Sequence, residues 1–158
     1  MENIFYGKHK TRNLIIYFVI LVSWLSFIFS NSLANGTVSS ERSDTVVKIL
    51  QGVVNSFDPD VKVDEGTVRT TAHFFEFFVL GFIYYIGSFF IKWNRVSLFL
   101  HSLAISLFTA FVDETLQLTS NGRVADVKDV WVDFSGAVIA HALTLAIYAS
   151  YKYFKKKR

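Results

Sequence analysis

The apolar residues of this chain are gathered into four runs, and carboxylates are set inside or against three of them. The runs are residues 14–30, 72–91, 96–118 and 130–151. Each is close to the roughly 17–25 residues an α-helix needs to cross a bilayer. Glu76 falls within the second run, Asp113 and Glu114 near the end of the third, and Asp133 near the start of the fourth. A charge loses its hydration in such surroundings, so an ionisable group there implies a partner or a function. The pattern predicts an all-α integral membrane protein, a four-helix transmembrane bundle forming one domain over residues 1–158.

Composition narrows the alternatives. Only 18% of the residues are charged, against about 25% in an ordinary soluble domain. The runs do not alternate apolar and polar residues as barrel strands do. Cysteine is absent, which excludes disulfides, thiolate chemistry and cysteine-based zinc sites. The basic residues gather at one membrane face, and no nucleic-acid partner is expected.

Lys and Arg set the orientation. With alternating spans, residues 1–13, the Lys92–Arg95 turn and the tail after Tyr151 share a side. That side carries ten basic residues (Lys8, Lys10, Arg12, Lys92, Arg95 and the tail) against Glu2. The other side carries 6 basic residues against 12 acidic ones. This split predicts both termini inside the cell membrane. Basic residues ahead of an apolar run, with Ser32-Leu33-Ala34 after it, also resemble a secretory signal peptide. That run is longer than the 7–15 residues usual for one, and cleavage would leave the other three spans oriented as before. Trp131, Trp93 and the tyrosines near span ends fit interfacial belts.

Residues 31–71 form the long outer connection. Its serine-rich start reads as polar and flexible. Val46, Val47, Ile49, Leu50, Val53, Val54 and Phe57 then recur at helical spacing, predicting an amphipathic helix capped by Ser43 or Asp44 and ended at Asp58-Pro59-Asp60. It would lie on the outer face, or act as a lid.

The ionisable residues converge in depth. At 1.5 Å per residue, Glu76 lies roughly 22 Å and His73 roughly 27 Å outward from Ile91. Asp113 and Glu114 lie roughly 26–27 Å outward from Val96. Asp133 is about 3 Å inward from Trp131, in a hydrocarbon layer about 30 Å thick. Faces converge too. Arg69, His73 and Glu76 share a stripe, Asp113 shares one with Gln117, and Asp126, Asp129 and Asp133 share one if the last helix starts early. Gly81, Ser135 and Gly136 would let helices approach closely. These stripes predict an outward-opening, acidic polar pocket with Arg69 and Arg123 at its rim. Excess negative charge there implies raised pKa values, a bound cation or a cationic substrate group. Hard cations prefer carboxylates, so a divalent cation on Asp113, Glu114 and Asp133 is one expectation. The bland alternative is a polar network that only holds the bundle together. His141, deep in the last span, reads as a hydrogen-bonded packing residue, and His101 as interfacial.

The same residues carry a family resemblance. Arg69-x-x-x-His73-Phe74-x-Glu76-x-x-x-Leu80-Gly81 resembles the first motif of the VanZ-like family. Asp113-Glu114-x-x-Gln117, Gly122-Arg123 and Asp126-x-x-Asp129-x-x-x-Asp133-x-x-Gly136 resemble its second. Residues 30–43 resemble its serine-rich stretch. Thr70 stands where the family usually has Lys, Phe77 where it has Tyr, and Thr119-Ser120-Asn121 where Val-Pro is common. The resemblance implies a Gram-positive membrane protein contributing to resistance to the lipoglycopeptide teicoplanin.

Three functions follow as expectations. One is an enzyme on a lipid-linked cell-wall precursor, with Glu76 or Asp113 as general base and His73 as proton shuttle. Glu114, Gln117, Asp126, Asp129 and Asp133 would contact substrate, and Arg69 and Arg123 would hold its phosphate. The second is a non-catalytic binder of a membrane lipid, the lipid carrier or the antibiotic itself. The third is an ion-coupled transporter, for which four spans leave little room unless the chain forms a homodimer.

Overall fold

The computed structural model describes residues 10–88, 90 and 95–157. Glu2, Lys8, Ile91, Lys92, Trp93 and Arg158 lie outside the described residues, as does the side chain of Arg95. Among the described residues five helices follow one another: α1 (Lys10–Ser32), α2 (Gly36–Val54), α3 (Glu65–Ser88), α4 (Arg95–Gln117) and α5 (Val127–Lys157). The described residues contain no strand. By length and composition, Lys10–Ser32, Val96–Gln117 and Val127–Lys157 are apolar enough to cross a membrane. α3 is long enough, at 24 residues, and carries Glu65, Arg69, His73 and Glu76 along its first half.

Helix ends follow from capping. The outer helix is longer than its apolar stripe implied. Its cap is Asn35, not Ser43 or Asp44. Asn35 is extended (φ −62°, ψ 160°), and its Oδ1 accepts from the Val38 N–H at 2.9 Å. The stretch expected to be flexible is therefore helical on both sides of a short turn, since Asn31 and Ser32 close α1. α2 also stops at Val54, before Pro59, with the Asn55 N–H bonded back to Gln51. Asp64 begins α3 seven residues before the apolar run, its Oδ2 accepting from the Thr67 N–H at 2.9 Å. Asp126 Oδ1 does the same for Lys128 at the start of α5. α5 runs on past Tyr151, and Lys155, Lys156 and Lys157 in its last turn complement the helix dipole.

α3 and α5 form the most extensive helix pair, with α4 against both, and α1 on α3 and α4. Two glycines permit the α3–α5 approach. A Cβ at Gly136 would strike the Phe74 carbonyl of α3 and stand 3.0 Å from the Phe78 nitrogen. A Cβ at Gly81 would stand 2.9 Å from the backbone of Ala137 and from the Ala140 methyl. Small residues at such seams substitute backbone packing for the hydrophobic drive that lipid removes. Buried Ile28, Phe77, Leu80 and Ala110 then form a core cluster shared by α1, α3 and α4. Polar groups cross-link it, Trp24 Nε1 donating to the Glu76 carbonyl at 3.0 Å and Tyr84 pairing with Thr109 at 2.9 Å. Apolar side chains such as Phe18, Val19 and Ile20 on α1 and Ile147 on α5 stay exposed, as expected of faces that meet acyl chains.

Gly136→Ala should cost about 1–3 kcal/mol, because the backbone facing it cannot yield as a flexible side chain would. Gly52→Ala, with nothing within 4 Å of the new methyl, should be neutral or stabilise α2 by about 0.5–1 kcal/mol. Thermal melts of the two variants in detergent will show them shifting in opposite directions, or Gly136→Ala alone shifting down.

Candidate functional site

Three helices deliver ionisable side chains to one buried point. His73 (α3), Asp113 (α4) and Asp133 (α5) each place a ligand-capable atom within 4.8 Å of the others. His73 Nδ1 lies 3.5 Å from Asp133 Oδ1 and 3.9 Å from Asp113 Oδ2. Asp113 and Asp133 are 0% exposed and His73 is 8% exposed. Asp113 is anchored on its far side, where Ser32 Oγ donates to Oδ1 at 2.5 Å, and Gln117 Nε2 stands 3.5 Å from Oδ2. Asp133 has less support: its Oδ1 faces only His73 Nδ1, at an ion-pair distance too long for a good hydrogen bond, and its Oδ2 has no hydrogen-bond partner among the described residues.

Glu76 is one turn further along α3. Its Oε1 accepts from Asn31 Nδ2 at 2.9 Å, while Oε2 is buried without a partner. Glu114 is turned away from the His73 cluster toward the α4–α5 loop, where Oε1 accepts from the Asp126 N–H at 2.5 Å. Asp126 is exposed and Asp129 half-buried, so of that stripe only Asp133 reaches the interior. Gln117, fully buried, bridges inward to Asp113 and outward to Arg69 Nη2, 3.3 Å from its Oε1.

A cavity of about 420 Å³ opens beside this cluster, between the end of α1, the inner face of α2 and the first half of α3. Arg69, His73 and Glu76 line it together, as their spacing on one helical stripe requires. Arg123 reaches it from the α4–α5 loop because Gly122 turns the chain at φ +76°, a conformation favouring glycine. The Gly36 N–H bonds the Asn121 carbonyl at 2.9 Å, fastening that loop to the start of α2. Arg123 Nη1 then donates to Ser39 at 2.5 Å. Burial, and next the charge of Arg69, push the Arg123 guanidinium below its ordinary pKa. An anion bound between the two guanidiniums would relieve that penalty on Arg123.

Arg42 is a third cationic lining residue, absent from the set expected from sequence. It donates to Asn31 Oδ1 at 2.9 Å, extending a chain from Arg42 through Asn31 to Glu76. The signal was present: Ser39, Arg42, Ser43, Val46 and Leu50 lie on one face at helical spacing, and all line the cavity. The apolar stripe was legible, but the charge sharing its face was not weighed, because the start of this segment read as a flexible loop. Ser32 was missed for the same reason.

The arrangement divides what the sequence suggested was one acidic pocket. The cavity wall carries three arginines against Glu76, while Asp113 and Asp133 lie behind His73. His141 is the packing residue it was expected to be, with a partner the sequence did not reveal: Nε2 is 2.7 Å from Ser102 Oγ and Nδ1 is 2.6 Å from the Ala137 carbonyl.

Comparison with known proteins agrees with the motifs that supply these side chains. No curated protein matches the chain, and no solved structure matches it. A family model described as VanZ/LLP1 matches residues 15–148, a stretch holding all five helices except the ends of the first and last. On that match the chain belongs to the VanZ-like family.

Proposed function

We propose that this chain is a single-domain, multi-pass protein of the bacterial cell membrane that binds a phosphate-bearing amphiphile of the cell envelope in an outward-facing pocket, and thereby contributes to lipoglycopeptide resistance. The observation that carries the reading is the meeting of Arg42, Arg69 and Arg123 around one cavity whose remaining wall is largely aliphatic. Guanidinium groups hold phosphate by paired, charge-assisted hydrogen bonds. Val46, Leu50, Val68 and Phe75 line the same space and suit an acyl or prenyl chain. Exposed Ile49 and Val53 on α2, with Phe57 just beyond its end, add a further apolar surface, fit for lying in the headgroup region.

In this reading α3 is the fourth span. Its polar residues turn toward α1, α4, α5 and the cavity instead of lipid, which removes the main cost of inserting them. The first span is retained, since its last turn supplies Asn31 and Ser32. Both termini lie inside, and the pocket opens at the opposite face. A catalytic version of the same function draws on Glu76, whose unpartnered Oε2 is buried beside the cavity. There it would serve as a general base, with His73 relaying the proton.

Replacing any one of Arg42, Arg69 or Arg123 by Gln should weaken binding of a long-chain polyprenyl phosphate about tenfold or more, as loss of a charge-assisted hydrogen bond costs about 1.5–3 kcal/mol. Native mass spectrometry of the purified protein will measure it, with diacylglycerol as the neutral comparison. Equal retention of both lipids, or unchanged binding in all three variants, removes this function. In cells, Glu76→Gln should lower teicoplanin resistance while insertion stays normal.

The cysteine-free chain permits a topology test. A single cysteine at Lys48 should react with an impermeant maleimide added to intact cells, and one at Lys155 should react only after permeabilisation. The opposite pattern inverts the pocket and removes its access to an external ligand.

A further inference from the structure

We infer that His73, Asp113 and Asp133 form a binding site for one divalent transition-metal ion, of the Zn²⁺ or Mn²⁺ class, buried directly behind the cavity wall at His73. The inference stands whatever amphiphile the cavity holds.

The first argument is electrostatic. A fully buried carboxylate needs hydrogen bonds, a proton or a cation, and leaving it with none costs several kcal/mol. Asp133 is 0% exposed, its Oδ1 meets only His73 Nδ1 at 3.5 Å, and its Oδ2 has no hydrogen-bond partner among the described residues. Protonated His73 carries one positive charge between two carboxylates, so the trio keeps a net negative charge unless one carboxyl is protonated or a cation is bound. A divalent ion held by neutral imidazole and two carboxylates balances the charge and replaces the long His73 Nδ1–Asp133 Oδ1 contact by two short bonds to one ion.

The second argument is geometric. Ligands about 2.0–2.2 Å from a tetrahedral ion are about 3.4 Å apart. The His73–Asp133 and His73–Asp113 separations are 3.5 and 3.9 Å, and all three ligand atoms lie within 4.8 Å of one another, so inward side-chain movements on the order of an ångström would complete the set. The ligand atoms come from three different helices, two of them locked together at Gly81 and Gly136. Ser32 holds the other oxygen of Asp113, the kind of outer hydrogen bond that aims a metal ligand.

The third argument is chemical. A nitrogen with two carboxylate oxygens favours borderline ions over Mg²⁺ and Ca²⁺, which prefer all-oxygen shells. Three protein ligands leave a coordination position for water or substrate, the arrangement of reactive rather than structural sites. His73 belongs both to this cluster and to the cavity wall, while Asp113 and Asp133 do not line the cavity, so the ion would sit one side chain behind that wall.

The test uses the full chain purified in detergent. After chelation and removal of the chelator, the protein is titrated separately with Zn²⁺, Mn²⁺, Mg²⁺ and Ca²⁺, following Mn²⁺ by electron paramagnetic resonance and all four ions by melting temperature. The expected result is one ion per chain, with a melting temperature that rises with free metal, as mass action requires. Asp133→Asn and His73→Gln should abolish it, Ser32→Ala should weaken it about 10–100-fold, and Asp126→Asn should leave it unchanged. No stoichiometric binding by the wild-type chain, binding that survives both Asp133→Asn and His73→Gln, or equal binding of Mg²⁺ and Ca²⁺ overturns the assignment. Because the wild-type titration decides by itself, a variant that fails to fold does not shield the proposal.

Discussion

A carboxylate taken out of water must be hydrogen-bonded, protonated or paired with a cation, and this molecule is arranged around two that are fully buried. Asp113 and Asp133 stand on adjacent helices with His73 between them. None of the three could face acyl chains without a large loss of hydration energy. Each therefore dictates the rotation of its helix, and together they fix how α3, α4 and α5 are turned relative to one another. Packing supports the same geometry: Gly136 permits the α3–α5 approach one turn beyond Asp133, and Gly81 permits it two turns beyond His73. Close backbone packing and buried charge therefore reinforce a single arrangement, as expected of a sequence whose levels agree.

Outside this centre a second polar layer connects it to the surface. Ser32 holds Asp113, Asn31 holds Glu76 and Arg42 holds Asn31. Gln117 joins Asp113 to Arg69, and Arg123 reaches Ser39. The last turn of α1 and the first turns of α2 are thus part of the site, not a tether to it. Charge grades outward from the buried carboxylates, through His73, to a guanidinium ring. An anionic headgroup entering from outside would meet the arginines first and would be kept from the carboxylates by like charge. A metal ion behind the wall would soften that repulsion.

Much of this was legible in the sequence because bilayer burial is a severe filter. Depth counting brought His73, Asp113 and Asp133 to one level, and helical spacing put Arg69, His73 and Glu76 on one stripe; the structure unites both groups. Gly81 and Gly136 were legible because small residues beside ionisable ones mark close helix approach. Spacing within single helices could not show how side chains divide between two compartments. Glu114 and Asp113 are neighbours on α4, yet one turns to the loop and the other to the interior. The resulting split between carboxylate cluster and arginine-lined cavity follows from tertiary packing alone. Residues 31–43 were misread for a local reason: Asn and Ser favour turns and caps as well as helix ends, and here Asn35 makes a short break between two helices.

Helix α3 is where these constraints meet. It carries ionisable residues along its first half, yet it buries seven residues where α1 buries two. His73 is turned inward and Arg69 and Glu76 line the cavity, while α1, strongly apolar and with only Ile28 and Ser32 buried, meets the surroundings. In a soluble protein so apolar a helix would be buried at the centre. Its exposure is itself an argument for a lipid environment. Where the solvent is hydrocarbon, apolar surface gains little from burial, and bringing polar groups together becomes the ordering principle.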